Sequence, residues 1–202
     1  TLWIPSACLD TLFPSLRVVP ELGADSTTPV IILLHGWGGD HASWVRNSGK
    51  LPGLADEYGV AFFAPGAGNS WYFDTDAKGT AWCGESLVVT DLMGFISDSL
   101  GLAKDPSRTA ICGLSMGGHG AIRLATKYTE LFSIVGSMSG VVYLGDSRLA
   151  DEVRTEFGGG DSLFIDTASV WARPQRLKPF SGHIYLDCGV EDHLYNSNQY
   201  MQ

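Results

Sequence analysis

Ile111-Cys112-Gly113-Leu114-Ser115-Met116-Gly117-Gly118-His119-Gly120 is the stretch whose reading decides the fold. A short apolar run, Thr109 to Cys112, stops at a glycine, reverses within three residues and becomes helical through Ala121, Ile122, Leu124 and Ala125. So abrupt a passage from strand to helix puts Ser115 in strained backbone geometry and brings neighbouring chain close. Positions without a β-carbon are then needed on either side of the serine, and Gly113 and Gly117 supply them. The G-x-S-x-G spacing specifies a nucleophile elbow, with the Ser115 hydroxyl held clear of the sheet at the positive end of a helix.

Upstream, Val30-Ile31-Ile32-Leu33-Leu34 is a continuous apolar run of the kind found in strands covered on both faces. It ends at His35-Gly36-Trp37-Gly38-Gly39-Asp40, a glycine-rich loop at the carboxyl end of a central strand, where ligands bind in open α/β sheets. Beside a serine elbow, this loop is expected to complete an oxyanion hole. Its donors would be the N–H of Met116 and the N–H of Trp37, with His35 bracing the loop rather than acting as a base.

Val60 to Ala64 is a further buried strand, and His41 to Tyr58 is helical in part. The loop Gly68-Asn69-Ser70-Trp71-Tyr72-Phe73-Asp74 again follows a strand. Its aromatics cover a core edge or line a pocket, and Trp71 and Tyr72 are taken as the substrate-pocket wall. Asp74 and Asp76 read as solvated loop residues rather than a cation site. Glu85 to Leu100 carries Val88, Leu92, Phe95, Ile96 and Leu100 on one face of a helix, and Phe132 to Met138 is another strand. Strand alternating with helix in this rhythm predicts a mostly parallel α/β sheet with helices on both faces. Thr1 to Val19 suits one or two edge strands.

The 202 residues can bury around 70% of their unfolded surface in one core, and no linker divides them, so 1–202 reads as a single domain. Residues 141–180, where periodicity loosens, form an expected lid or cap excursion. A net charge of −9 argues against nucleic acid, and no apolar run has the roughly 20 residues of a membrane helix. Cys8, Cys83, Cys112 and Cys188 lack metal or redox spacing and read as reduced core residues, which favours the cytoplasm. The chain opens on Thr1 rather than methionine, which leaves room for a removed leader.

The final strand, His183 to Cys188, ends at Gly189-Val190-Glu191-Asp192-His193. A carboxylate just past a strand and downstream of the serine is where the order Ser, Asp, His needs its orienting acid. Asp192 is preferred; Asp187 lies inside the strand and Glu191 is the nearest rival.

The set His35-Gly36-Trp37-Gly38-Gly39-Asp40, Asn69-Ser70-Trp71-Tyr72, Gly113 to Gly120 and Asp187 to Asp192 resembles the esterase D family, over roughly Val30 to Gln202. That family includes tributyrin-type carboxylesterases, S-formylglutathione hydrolases, feruloyl esterases and the antigen 85 mycolyltransferases. The resemblance implies an α/β-hydrolase fold and acyl transfer to water, with Ser115 as nucleophile, Asp192 as acid, and Trp37 and Met116 as oxyanion donors. A small-molecule ester of short acyl chain is the expected substrate, with no cofactor or metal and with self-association left open. Thioester hydrolysis, feruloyl ester hydrolysis and acyl transfer to a sugar are alternatives within the same chemistry. In the family the catalytic histidine lies beyond the acid, after another helix and strand. His193 is the acid's immediate neighbour, so the base is expected beyond Gln202 and the chain reads as truncated at its carboxyl end; a complete chain would instead suggest a non-catalytic binding protein. His119 matches a variable position and reads as structural.

Overall fold

The computed structural model of the chain describes residues 1–75, 82–142 and 180–199. Two strands open it, β1 (Leu2–Ser6) and β2 (Thr11–Val18), in which alternate residues such as Ile4, Phe13 and Ser15 point into the core. The apolar runs follow as β3 (Val30–Leu34) and β4 (Ala61–Pro65), with α1 (Ser43–Ser48) and α2 (Leu51–Tyr58) between them. Glycines in the left-handed conformation, Gly49 and Gly59, end both helices. A short ribbon pairs β5 (Asp74–Thr75) with β6 (Trp82–Cys83). The second half holds β7 (Thr109–Leu114), β8 (Ile134–Met138) and β9 (His183–Asp187).

The main sheet runs β1-β2-β4-β3-β7-β8-β9. β1, β2 and β4 pair antiparallel, whereas β4, β3, β7, β8 and β9 form a parallel block. Alternation along the strands sends Ile32, Leu34, Phe63 and Ile111 into one core, and Leu33, Phe62 and Ala64 into a second against Leu51 and Ala55 of α2. Both faces are therefore covered, as the unbroken apolar runs require.

The helix expected over Glu85 to Leu100 begins at α3 (Gly84–Ser86) and continues through two π-helical stretches, Leu87–Leu92 and Phe95–Ser99. The wider π turn shifts the inward face. Leu87, Val88, Leu92, Met93 and Ile96 are buried, while Phe95 and Leu100 are only partly covered. Of the excursion 141–180, all but Val141, Val142 and Phe180 lies outside the described residues, as does Asp76.

The reading of all four cysteines as reduced is corrected. Cys8 and Cys83 form a disulfide, their Cα atoms 6.0 Å apart, while Cys112 and Cys188 are free. The turn between β1 and β2 brings Cys8 to the head of α3, a proximity with no local sequence signature. Closing a loop across 75 positions removes conformational freedom from the unfolded chain. Reduction, or Cys8→Ser, is expected to lower stability by about 2–4 kcal/mol. A calorimetric scan with and without dithiothreitol should then register a fall in Tm of roughly 5–15 °C.

Candidate active site

Between the end of β7 and the first residue of α4 (Met116–Lys127) stands Ser115 alone, with φ 55° and ψ −115°. That is an unfavourable conformation for a residue with a side chain, and the surroundings impose it. A β-carbon on Gly113 would lie 2.2 Å from the Gly117 carbonyl, and one on Gly117 would lie 2.2 Å from the Leu34 oxygen. The Ser115 N–H donates to the Met138 carbonyl at 2.9 Å, and the Ser115 carbonyl accepts from the N–H groups of His119 and Val141. Its side chain is partly exposed and does not cap the helix.

The loop after β3 stacks directly on this turn. A β-carbon at Gly36 would stand 3.5 Å from Ser115 Cβ. The Gly39 N–H donates to Gly36 O at 3.0 Å, Gly38 takes φ 69°, and the Gly38 N–H donates to Asn69 Oδ1 at 2.8 Å. Among the described residues, nothing accepts from the N–H of Trp37 or from that of Met116. Trp37 and Leu114 border a hollow of about 270 Å³, shared with Ser43, Trp44 and Asn47 of the α1 side.

His35 braces this loop, as expected. The Ala67 N–H donates to its Nε2 at 3.1 Å, so the ring proton sits on Nδ1 and is given to Gly36 O at 2.8 Å. Burial lowers its pKa, and both nitrogens are occupied in the neutral form. His119 is fully buried, its Nδ1 2.8 Å from the Val141 carbonyl, and burial reinforced by Arg123 takes its pKa down to about 3.

Asp192 sits in the turn after β9, its carboxylate accepting from the Leu194 N–H at 2.8 Å. That bond and one from the Ser139 hydroxyl hold its pKa below the usual carboxylate range. Ser139 in turn donates its N–H to the Asp187 carbonyl, one residue past the Met138 carbonyl that holds Ser115. Asp192 and Ser115 thus hang from adjacent residues at the end of β8. His193 Nδ1 lies 3.4 Å from Asp192 Oδ1, but its side chain is 83% exposed. None of the five histidines hydrogen-bonds the Ser115 side chain.

Trp71 and Tyr72, taken as pocket wall, are 2% and 0% exposed and lie beneath the site instead. Both adopt positive φ, which turns their rings inward. Asp74 is not a free loop carboxylate, because it accepts from the N–H groups of Glu85 and Ser86 at the start of α3. Arg123 and Glu85 escaped the sequence reading. Glu85 is buried and paired with Arg123 at 2.5 Å, with Lys127 and Tyr128 also bonded to it. Burial alone would raise its pKa, but these partners outweigh it and the pKa is lowered. The signal was a charged pair 38 positions apart, which no local pattern reveals.

The family model described as "Putative esterase" matches residues 16–199. The chain belongs to this esterase family. An acetyl esterase of Caldicellulosiruptor saccharolyticus is 30% identical over 183 residues, 84% of this chain and 68% of that esterase. The MPT51/MPB51 antigen of Mycobacterium bovis is 29% identical over 143 residues, 68% of this chain and 44% of the antigen. The fluorophosphonate-binding serine hydrolase F of Staphylococcus aureus superposes with a TM-score of 0.82 at 19% identity, covering 99% of this chain and 82% of that one. This last likeness is one of fold, the α/β-hydrolase fold. Membership places this esterase among hydrolases that act on ester bonds.

In this esterase both buried histidines are neutral in the folded state, with pKa values below 6.5. The unfolded chain binds more protons between the two values, so stability is full above about 6.5 and falls with pH through that window, for His119 down toward about 3. The urea midpoint is expected to drop between pH 7.5 and pH 5. In His119→Asn, whose amide can still donate to Val141, the drop should be smaller.

Proposed function

We propose that the chain is a serine esterase that hydrolyses short-acyl carboxylic esters through an acyl-enzyme. The observation that carries the reading is Ser115 at φ 55°, partly exposed and stacked against Gly36, with two unengaged amides on either side. In this reading the Ser115 Oγ attacks the acyl carbon while a base oriented by Asp192, a role that none of the described histidines fills, takes its proton. The N–H groups of Trp37 and Met116 stabilise the oxyanion, the ester C–O bond breaks, and the alcohol leaves with the proton. Water then releases the acid from Ser115. The modest hollow beside Trp37 and Leu114 supports a small acyl group, in keeping with the name of the acetyl esterase relative. Feruloyl esters, thioesters or transfer to a sugar would use the same groups.

Cys8–Cys83 supports an oxidising location over the cytoplasm, since such bonds persist outside reducing compartments. Among the described residues no helix is long and apolar enough to cross a membrane.

Hydrolysis of p-nitrophenyl acetate and labelling by a fluorophosphonate probe test the assignment. Ser115→Ala is expected to abolish both without loss of fold. Asp192→Asn should lower kcat by roughly 10³–10⁴-fold. His193→Ala should retain turnover, because its ring is open to solvent. A wild-type protein that neither turns over the ester nor takes the label would instead favour a binding role.

A further inference from the structure

Trp71 and Tyr72 are consecutive left-handed residues, with φ 52° and 59°, and both carry large side chains. Such backbone is disfavoured for bulky residues and persists only where neighbours over-determine it. They do so here. The Tyr72 N–H donates to Ser70 Oγ at 3.1 Å, and the Phe73 N–H donates to the Ser70 carbonyl at 2.9 Å. Arg123, held by Glu85, donates to the Tyr72 carbonyl at 3.1 Å and lies 4.3 Å over the Phe73 ring.

The double reversal drives the Tyr72 ring under α4. A β-carbon at Gly120 would stand 2.5 Å from its Cδ2, so the ring fills the space that glycine leaves. There the hydroxyl, fully buried, donates to the His35 carbonyl at 3.0 Å. His35 O belongs to the peptide preceding Gly36, and Gly36 O is held by Gly39 and by the His35 ring. Gly36 O and the Trp37 N–H share one planar peptide, so fixing the carbonyl fixes the direction of the amide. Gly36 has no side chain to restrict its rotation. The orientation of the Trp37 amide therefore depends on those two bonds and, beneath them, on how firmly the peptide before Gly36 is held.

We propose that Tyr72 is a positioning residue for oxyanion stabilisation, its hydroxyl pinning the His35 carbonyl and thereby aiming the Trp37 N–H. This rests on the serine esterase reading. The effect belongs to the transition state, because the ester carbonyl gains its charge only there.

Tyr72→Phe removes the hydroxyl and little else. With p-nitrophenyl acetate, kcat is expected to fall roughly 10- to 100-fold while KM changes less than about twofold. Phenylboronic acid, which mimics the tetrahedral adduct on serine, should bind more weakly by a similar factor. A purely structural tyrosine would instead lower Tm and leave kcat and boronate affinity of the folded fraction unchanged, and that result would overturn the proposal. Should Tyr72→Phe fail to fold, Gly120→Ala displaces the ring and keeps the hydroxyl. The same kcat-selective loss is expected from it, and an unaltered kcat would count against the proposal. Wild-type protein without turnover sinks the esterase reading itself, whereas active wild type with an equally active Tyr72→Phe sinks this inference alone.

Discussion

At the carboxyl edge of β3 and β7 three pieces of backbone meet with no β-carbon between them, and the rest of the site depends on that approach. Gly117 rests on the Leu34 carbonyl, Gly113 on Gly117, and Gly36 on the Leu114–Ser115 turn. A side chain at Gly117 would part the loop from the elbow, and one at Gly113 would part the strand from the helix. The parallel block of five strands makes this contact possible, since β3 and β7 are neighbours and end at the same level, Leu34 opposite Gly113. Sheet order thus becomes site geometry.

Backbone brought so close must also be kept from rotating. Charged and aromatic groups on the buried side do this work. Glu85 gathers Arg123, Lys127 and Tyr128; Arg123 reaches the Tyr72 carbonyl; and Tyr72 reaches the His35 carbonyl. Trp71 packs its ring edge-on to His119 of α4 and lies 5.9 Å from the Trp37 ring. The two walls of the site share one support.

Much of this was legible in the chain. Runs such as Val30 to Leu34 read directly as strands covered on both faces, because burial on both sides leaves no polar alternation to confuse the period. The glycines around Ser115 announced the elbow because the turn excludes side chains by sterics alone. Harder to read was whatever depends on distant parts meeting. Cys8 meets Cys83 because β1 packs against the Leu87–Leu92 stretch that follows it. Trp71 and Tyr72 face inward because two left-handed residues reverse them, which an aromatic triplet in a loop does not disclose. The π turns of the long helix left Phe95 and Leu100 packed at the margin of the core rather than within it for a similar reason: hydrogen-bond register is not written in hydrophobic spacing.

The bond between Cys8 and Cys83 encloses β2, β3, β4, both early helices and the glycine-rich loop in one covalent ring, leaving Ser115 outside it. During synthesis the second sulfur emerges before the serine does. The half of the site that carries Gly36 and Trp37 can therefore be stapled into shape before its counterpart exists. A single cut in any surface turn of the ring, such as the one at Leu22, opens the circle without releasing a fragment.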